Sequence, residues 1–297
     1  MAKAPRSLAG KVVAVTGGGR GIGRATAAAL IAEGARVAIG DIESELAART
    51  AAELGCGTLG LALDVTDPES FDAFLDTAER ELGALDVLVN NAGIMPVGPF
   101  VVETEATADR LVAVNLNGVL IGSKLALARF LPRGRGHLVN IASVAGKGGF
   151  PGGVTYCATK HAVVGLSEAI RAEYRRSGID VSIVMPTVVN TELGSGLVKT
   201  RGLRFAEPED VAAAIVGALQ TGRVDVYVPR EMSLLMRSAQ VLPRRIVDFV
   251  THLTRADRVL SAPDHVARAA YEARTSDAAG GPPAAPDEPE REPETVS

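Results

Sequence analysis

Seven short runs of Val, Ile, Leu and Ala recur along the chain: KVVAVTG (11–17), ARVAIGD (35–41), TLGLALDV (58–65), LDVLVNNAG (85–93), GHLVNIAS (136–143), DVSIVMP (180–186) and VDVYVPR (224–230). They carry little polar/apolar alternation, the pattern of strands covered on both faces. Longer stretches with helical spacing lie between them. ATAAALIAEG ends at Gly34 as a C-cap, and DPESFDAFLDTAEREL opens with Asp67 as N-cap and Pro68 in the first turn. Strand and helix alternating in this way predict a parallel sheet with right-handed crossovers. The expected fold class is α/β: a doubly wound parallel sheet of about seven strands, Rossmann-type, with a helical C-terminal extension.

That rhythm stops after Arg230. Residues 231–275 read as helices without strands, and 230–275 hold eight Arg against five Asp and Glu. The stretch SDAAGGPPAAPDEPEREPETVS is acidic, rich in Pro and Ala, and has almost nothing to bury, so disorder is expected there. The expected organisation is a dinucleotide-binding and catalytic domain over 1–230, a helical extension over 231–275 and a disordered tail over 276–297.

Composition narrows the class of protein. With 297 residues, 47% of them hydrophobic, the chain can bury a substantial core, while 4% aromatics and no Trp leave that core to Ala, Val, Leu and Ile. A net charge of −4 gives no reason to expect nucleic acid. Cys56 and Cys157 lack metal-ligand spacing and read as small buried fillers in a reducing compartment, and no metal is expected. The first residues show no signal-peptide core and no run reaches the length of a membrane span, so the expectation is a cytoplasmic protein.

The first strand leads directly into TGGGRGIGRA, which opens the first helix. Gly17, Gly21 and Gly23 let the chain turn sharply and approach a pyrophosphate, while the helix N-terminus offers N–H groups to anionic oxygens. The spacing is G-x-x-x-G-x-G, and its place after the first strand of a βαβ unit points to a dinucleotide. Asp41 ends the second strand, where a carboxylate accepts hydrogen bonds from ribose hydroxyls and repels a 2′-phosphate. Arg20 argues the other way, as a cation that can meet that phosphate. The carboxylate favours NAD over NADP. Asp41 also reads as a cap for the helix that follows.

TYCATKHAVVG (155–165) places Tyr156 and Lys160 four apart, hence on one helix face. A tyrosine ordinarily titrates near 10, so use as a base near neutrality requires a drop of about three units, or about 4 kcal/mol. An ammonium ~5 Å away at an effective dielectric of 20 contributes about 3 kcal/mol of that. Ser143 ends the fifth strand, NNAG (90–93) the fourth and Asp64 the third, at the strand ends that face a ligand crevice; Asn115 lies on the helix after the fourth. Each has an ordinary alternative: a strand-end hydroxyl for Ser143, a backbone-bonding residue for Asn115, a cap for Asp64. His161 and Cys157 read as packing.

Together these motifs resemble the short-chain dehydrogenase/reductase superfamily in its shorter, single-domain form, over residues ~8–230. The resemblance implies that Tyr156 is the general acid/base, that Lys160 lowers its pKa and holds the nicotinamide ribose, that Ser143 hydrogen-bonds the substrate oxygen, and that Asn115 anchors a proton-conducting water chain. It further implies that Gly17, Arg20, Gly21, Ile22, Gly23, Asp41, Asp64, Val65, Asn91, Ala92, Gly93, Pro186, Val189 and Thr191 line the cofactor beside Tyr156 and Lys160. Thr187 stands where the family usually has Gly, which restricts the loop after the sixth strand.

The expected activity is NAD-dependent interconversion of a hydrophobic alcohol and its ketone or aldehyde. An NADPH-preferring carbonyl reductase and a non-catalytic dinucleotide-sensing regulator are the alternatives. Leu193, Leu197, Val198 and Leu203 are expected to cover the substrate, with Met95, Pro96, Val97, Phe150 and Pro151 opposite. The basic, apolar segment 232–260 is expected to pack on the domain, cover an interface or the substrate mouth, or rest on a membrane surface. The exposed faces of helices at 105–131 and 155–177 suit a homodimer or homotetramer.

Overall fold

The computed structural model describes residues 4–198, 205–246, 259–261 and 263–277. All seven expected strands form: β1 (Val12–Thr16), β2 (Arg36–Asp41), β3 (Leu59–Ala62), β4 (Val87–Asn90), β5 (Gly136–Ile141), β6 (Ile179–Pro186) and β7 (Asp225–Val228). They build one sheet in the order β3-β2-β1-β4-β5-β6-β7. Every neighbouring pair is parallel. The order reverses between β1 and β4, and in such sheets the crevice above the strand C-termini at that reversal receives ligands.

Helices α1 (Gly21–Ala32), α2 (Ser44–Leu54), α3 (Pro68–Leu82), α4 (Glu105–Val112), α5 (Gly118–Phe130), α6 (Val154–Glu173) and α7 (Pro208–Thr221) make the crossovers. One sheet face packs Ala27 and Leu30 of α1 and Val211, Ile215 and Leu219 of α7 against Val13, Val15 and Val184. The other packs Phe71, Phe74 and Leu75 of α3 and Phe130 of α5 against Ala14, Leu88 and Leu138. The expected punctuation is present. The Asp67 carboxylate accepts from Glu69 N (3.0 Å) with Pro68 following it, and Gly34, just past α1, takes a positive φ of 80°. A π turn (Ala113–Asn117) joins α4 to α5. The run Glu105–Arg133 is long and apolar enough to cross a membrane, yet half of its most apolar window is buried, as in the core helix of a globular domain.

Beyond β7 lie α8 (Met232–Val241) and α9 (His265–Asp277). Of the acidic tail only Ser276 and Asp277 are described, as the end of α9; residues 278–297 lie outside the described residues. Cys157 is buried as expected, but Cys56 is exposed. It sits between Gly55 and Gly57 in the turn after α2 with a positive φ of 51°, where no packed element covers it.

Candidate active site

The glycine turn joins β1 to α1 under close steric constraint. A Cβ on Gly17 would stand 2.9 Å from Ala92 Cα, and one on Gly23 would stand 2.1 Å from Gly17 O. Gly23 lines neither of the cavities described below; its requirement is this close approach within the turn. No side chain caps the N-terminus of α1 and no acid occupies its first turn, which leaves its N–H groups to an anionic ligand. Asn91 reaches across from the end of β4, donating from Nδ2 to Thr16 O (2.8 Å) and Gly17 O (3.1 Å).

A cavity of about 270 Å³ opens here, bordered by Gly17, Arg20, Gly21, Ile22, Asp41, Asp64, Val65, Asn91, Ala92, Gly93 and Thr191 from the expected set. Asp41 is buried and does two things at once. Its Oδ2 accepts from Gly19 N (3.0 Å), fixing the glycine turn, and its Oδ1 accepts from Glu43 N (3.2 Å) at the start of α2. The capping role and the cleft-lining position therefore coexist. Arg20 is held by two carboxylates, Glu43 and Glu192, the latter at 2.9 Å. Both acids border the same cavity, and neither was singled out from the sequence. The uncapped helix end, the glycine cradle and the acid at the end of β2 all suit a dinucleotide.

A second cavity of about 1200 Å³ adjoins the first, sharing Ile22, Thr191 and Leu193 with it. Ser143, Tyr156 and Lys160 stand in its wall, as do Pro186, Thr187 and Val189. Ser143 lies just past the end of β5, where its Oγ accepts from Ala145 N (3.1 Å) and donates to Pro186 O (3.4 Å). Tyr156 and Lys160 fall one turn apart on α6, with Lys160 Nζ 5.7 Å from the Tyr156 ring centroid. The Lys160 ammonium donates to Ile141 O (2.9 Å).

The electrostatics differ from the sequence expectation. Burial raises the Tyr156 phenol above its usual value of 10, and the neighbouring Ser143 hydroxyl offsets only part of that. Burial also lowers Lys160 to about 8. Among these neighbours the phenol keeps its proton near neutral pH, because desolvation of the phenolate exceeds the stabilisation that they supply. Only added positive charge beside the ring brings it down.

Asn115 lies at the π turn, fully buried, and its amide is committed. Its Oδ1 accepts from Ile94 N (2.8 Å), and Nδ2 donates to Ile94 O (2.9 Å) and to Thr159 Oγ1 (3.4 Å). It borders neither cavity. The side chain thus takes the backbone-bonding alternative, holding the strand-end segment at Gly93–Met95. His161 is exposed rather than packed; its Nδ1 sits 2.8 Å from Cys157 O and it borders the larger cavity. Burial pushes the Cys157 thiol up, away from reactivity.

Met95, Phe150, Pro151 and Leu193 line the larger cavity as expected, whereas Pro96, Val97, Leu197 and Val198 do not. Val97 and Leu197 pack behind its wall with Met95 and Tyr156, and Leu203 lies outside the described residues. Sequence reasoning offered the extension as one candidate cover; it supplies much of the lining through Met232, Leu235, Met236 and Ala239 of α8, with Val259 and Leu260. Their spacing of 232, 235, 236 and 239 was the available signal.

The other missed element is α9. Arg268, with no exposed surface, donates to Met95 O (2.8 Å), Leu193 O (3.1 Å) and Ser195 O (2.8 Å), and pairs with Glu272 (3.1 Å). Its guanidinium lies 5.0 Å from the Tyr271 ring centroid, and Met95 N donates to the Tyr271 hydroxyl (2.7 Å). Arg274 pairs with Glu192 and borders the smaller cavity beside Tyr271. Thus α9 ties the segment after β4 to the loop after β6, on either side of the cleft. An arginine among alanines reads as exposed helix surface, so nothing in the sequence marked it.

Comparison with known proteins agrees with this geometry. The chain is 41% identical over 227 residues to a 2-(S)-hydroxypropyl-CoM dehydrogenase 3 of Xanthobacter autotrophicus, covering 70% of this chain and 89% of that protein. It is 40% identical to a sorbitol dehydrogenase of Cereibacter sphaeroides, covering 69% and 78% respectively. A short chain dehydrogenase/reductase from Burkholderia phymatum, solved in complex with NAD, superposes with a TM-score of 0.72 at 26% identity, covering 78% of this chain and 93% of that one. The profile of the short chain dehydrogenase family matches residues 11–202. A cleft at the β1/β4 reversal, a serine, tyrosine and lysine in the adjoining cavity wall and these likenesses converge: the chain belongs to the short-chain dehydrogenase family, oxidoreductases of alcohols and carbonyls that work with a nicotinamide dinucleotide.

Proposed function

We propose that the protein is an NAD-dependent oxidoreductase that interconverts a bulky apolar alcohol and its ketone or aldehyde. The carrying observation is the placement of Ser143, Tyr156 and Lys160 in the wall of a cavity of about 1200 Å³ that meets the dinucleotide cleft. Drug-sized ligands occupy pockets of about 300–1,000 Å³. Ile22, Pro186, Val189 and Thr191 would face the cofactor at one end, and beyond them Met95, Phe150, Leu193, Met232, Leu235 and Leu260 make the walls mainly apolar, which suits an apolar substrate better than a small polyol. The likeness to a sorbitol dehydrogenase favours a polyol; the lining argues against it.

Within this reading Ser143 and Tyr156 hold the substrate oxygen. The phenol donates its proton to the oxygen as a carbonyl is reduced, and the phenolate takes a proton from the hydroxyl when an alcohol is oxidised. Lys160 anchors to Ile141 O and orients the ribose edge of the cofactor. Bound nicotinamide supplies the site with a hydride acceptor or donor, and its oxidised ring with positive charge. The preference for NAD rests on Asp41 at the β2 terminus together with Glu43, which engages the one turn cation that a 2′-phosphate would need. The cytoplasmic expectation remains part of this reading.

The test is a panel of alcohols and ketones, from short polyols to polycyclic and long aliphatic compounds, assayed with both nicotinamide cofactors. Tyr156→Phe runs beside the parent chain. The expected result is turnover of the bulky apolar members with NAD, and a loss of about 10²–10⁴-fold in kcat for the variant with cofactor affinity retained. Equal rates in the two proteins remove Tyr156 as the acid/base. Turnover restricted to polyols removes the substrate class.

A further inference from the structure

We propose that α8 docks the enzyme onto an anionic phospholipid surface, with the mouth of the apolar cavity turned toward the lipid. Two stripes of α8 do different things. Met232, Leu235, Met236 and Ala239 line the cavity at spacings of three, one and three. Leu234 and Val241 lie on another stripe and are 76% and 87% exposed, with Arg237 between them. A helix seated on the domain by one stripe while presenting leucine and valine to water by another has, among the described residues, an unpartnered apolar face.

The surroundings of that face select the occupant. Arg230, Arg237, Arg244 and Arg245 are exposed against a single exposed acid, Glu231, over residues 230–246; Arg237 lies 4.0 Å from Asp225. The whole chain carries −4, so this patch runs against the overall charge. Basic side chains flanking exposed apolar ones are complementary to anionic headgroups above acyl chains. A second copy of this chain is a poorer partner, because a two-fold contact would bring the same arginines face to face. The patch is also continuous with the site: Leu242 and Arg244 border the cavity and are exposed, and Leu235 borders it at 47% exposure. An apolar substrate dissolved in a bilayer would then enter without crossing water. Delivery rests on the reading of the cavity as the substrate site; docking itself does not.

Co-sedimentation of the full chain with vesicles of about 70% phosphatidylcholine and 30% phosphatidylglycerol tests this, with pure phosphatidylcholine vesicles alongside. Two double variants avoid every cavity-lining residue: Leu234→Ser with Val241→Ser, and Arg237→Gln with Arg245→Gln. Strong association of the parent with anionic vesicles is expected, weak association with neutral ones, and a loss of about tenfold or more in each variant. Turnover of a water-soluble alcohol and NADH binding should stay unchanged. Absence of parent binding, or equal binding by parent and variants, overturns the proposal. So does light scattering that shows a parent oligomer dissolved by the Leu234/Val241 pair, since a second copy then covers the face. Vesicle binding without any dehydrogenase turnover would instead leave docking standing and reject the functional reading.

Discussion

A Lys160→Met chain is expected to be more stable than the parent near neutral pH while losing its activity. Burial lowers the Lys160 ammonium from 10.5 to about 8. The unfolded chain therefore holds that proton more tightly than the native one, and at about pH 7 the native state bears a penalty of about 3 kcal/mol for keeping it. Between about pH 8 and 10.5 the native lysine is already neutral while the unfolded one is still charged, so stability rises with pH across that window. Methionine fills similar space with no charge. It forfeits the hydrogen bond to Ile141 O (2.9 Å), a loss of about 1–2 kcal/mol once that carbonyl is left unsatisfied. The net gain is about 1–2 kcal/mol near pH 7. Near pH 9.5 the parent recovers about 2 kcal/mol and the gain vanishes or reverses. Urea midpoints of both chains at the two pH values, with equal m, read this directly. A variant less stable at neutral pH, or a gap independent of pH, refutes the reasoning. The expected pattern is a stability–activity trade-off: an ammonium in an unfavourable place is kept where the proposed reaction requires it.

Arg268→Met takes the donor from three carbonyls, one buried at Met95 and two half-buried at Leu193 and Ser195, and should lower stability by about 3 kcal/mol, or raise KM for cofactor and substrate together where the fold survives; an unchanged melting curve with unchanged KM would deny α9 its bridging role. Asp41→Asn with Glu43→Gln removes two of the three carboxylates around the turn and leaves Arg20 paired with Glu192 alone, so the ratio of kcat/KM for NADP over NAD should rise by at least about tenfold. Parallel kinetics with the two cofactors measure it, and an unaltered ratio would place the discrimination elsewhere. Ala239→Trp narrows the larger cavity from α8, raising KM for polycyclic alcohols by about tenfold or more while leaving short alcohols untouched; uniform effects across the panel would mean that substrates do not reach α8.

The sheet was legible because its strands are continuous apolar runs, as burial on both faces permits for all but the half-buried edge strand β3, and because Asp67–Pro68 and Gly34 mark helix ends by backbone chemistry alone. The glycine turn, Asp41, Ser143, Tyr156 and Lys160 were legible because their geometry is local, either a tight turn, a strand end or one helical turn. Charge balance was not local. Spacing credits Lys160 with most of the drop that Tyr156 requires, but burial acts on both groups and depends on everything packed around them. Asn115 sits at an irregular turn whose hydrogen bonds reach back to Ile94, and the pattern of the helix carries no trace of that. Glu43 and Glu192, which hold Arg20, come from opposite sides of the cleft, and Arg268 meets its acceptors across 73 to 173 positions.

Those separations bear on how the molecule is made. Synthesis delivers the last strand, ending at Val228, before Arg268 exists. Contacts between distant positions must wait for the intervening chain to close on itself. A nascent polypeptide interrupted between the two would contain all seven strands described here and the glycine turn but lack the guanidinium that gathers Met95, Leu193 and Ser195. Assembly of the cleft accordingly waits for α9, and cleavage between Val228 and Arg268 is expected to weaken a site whose own residues are intact.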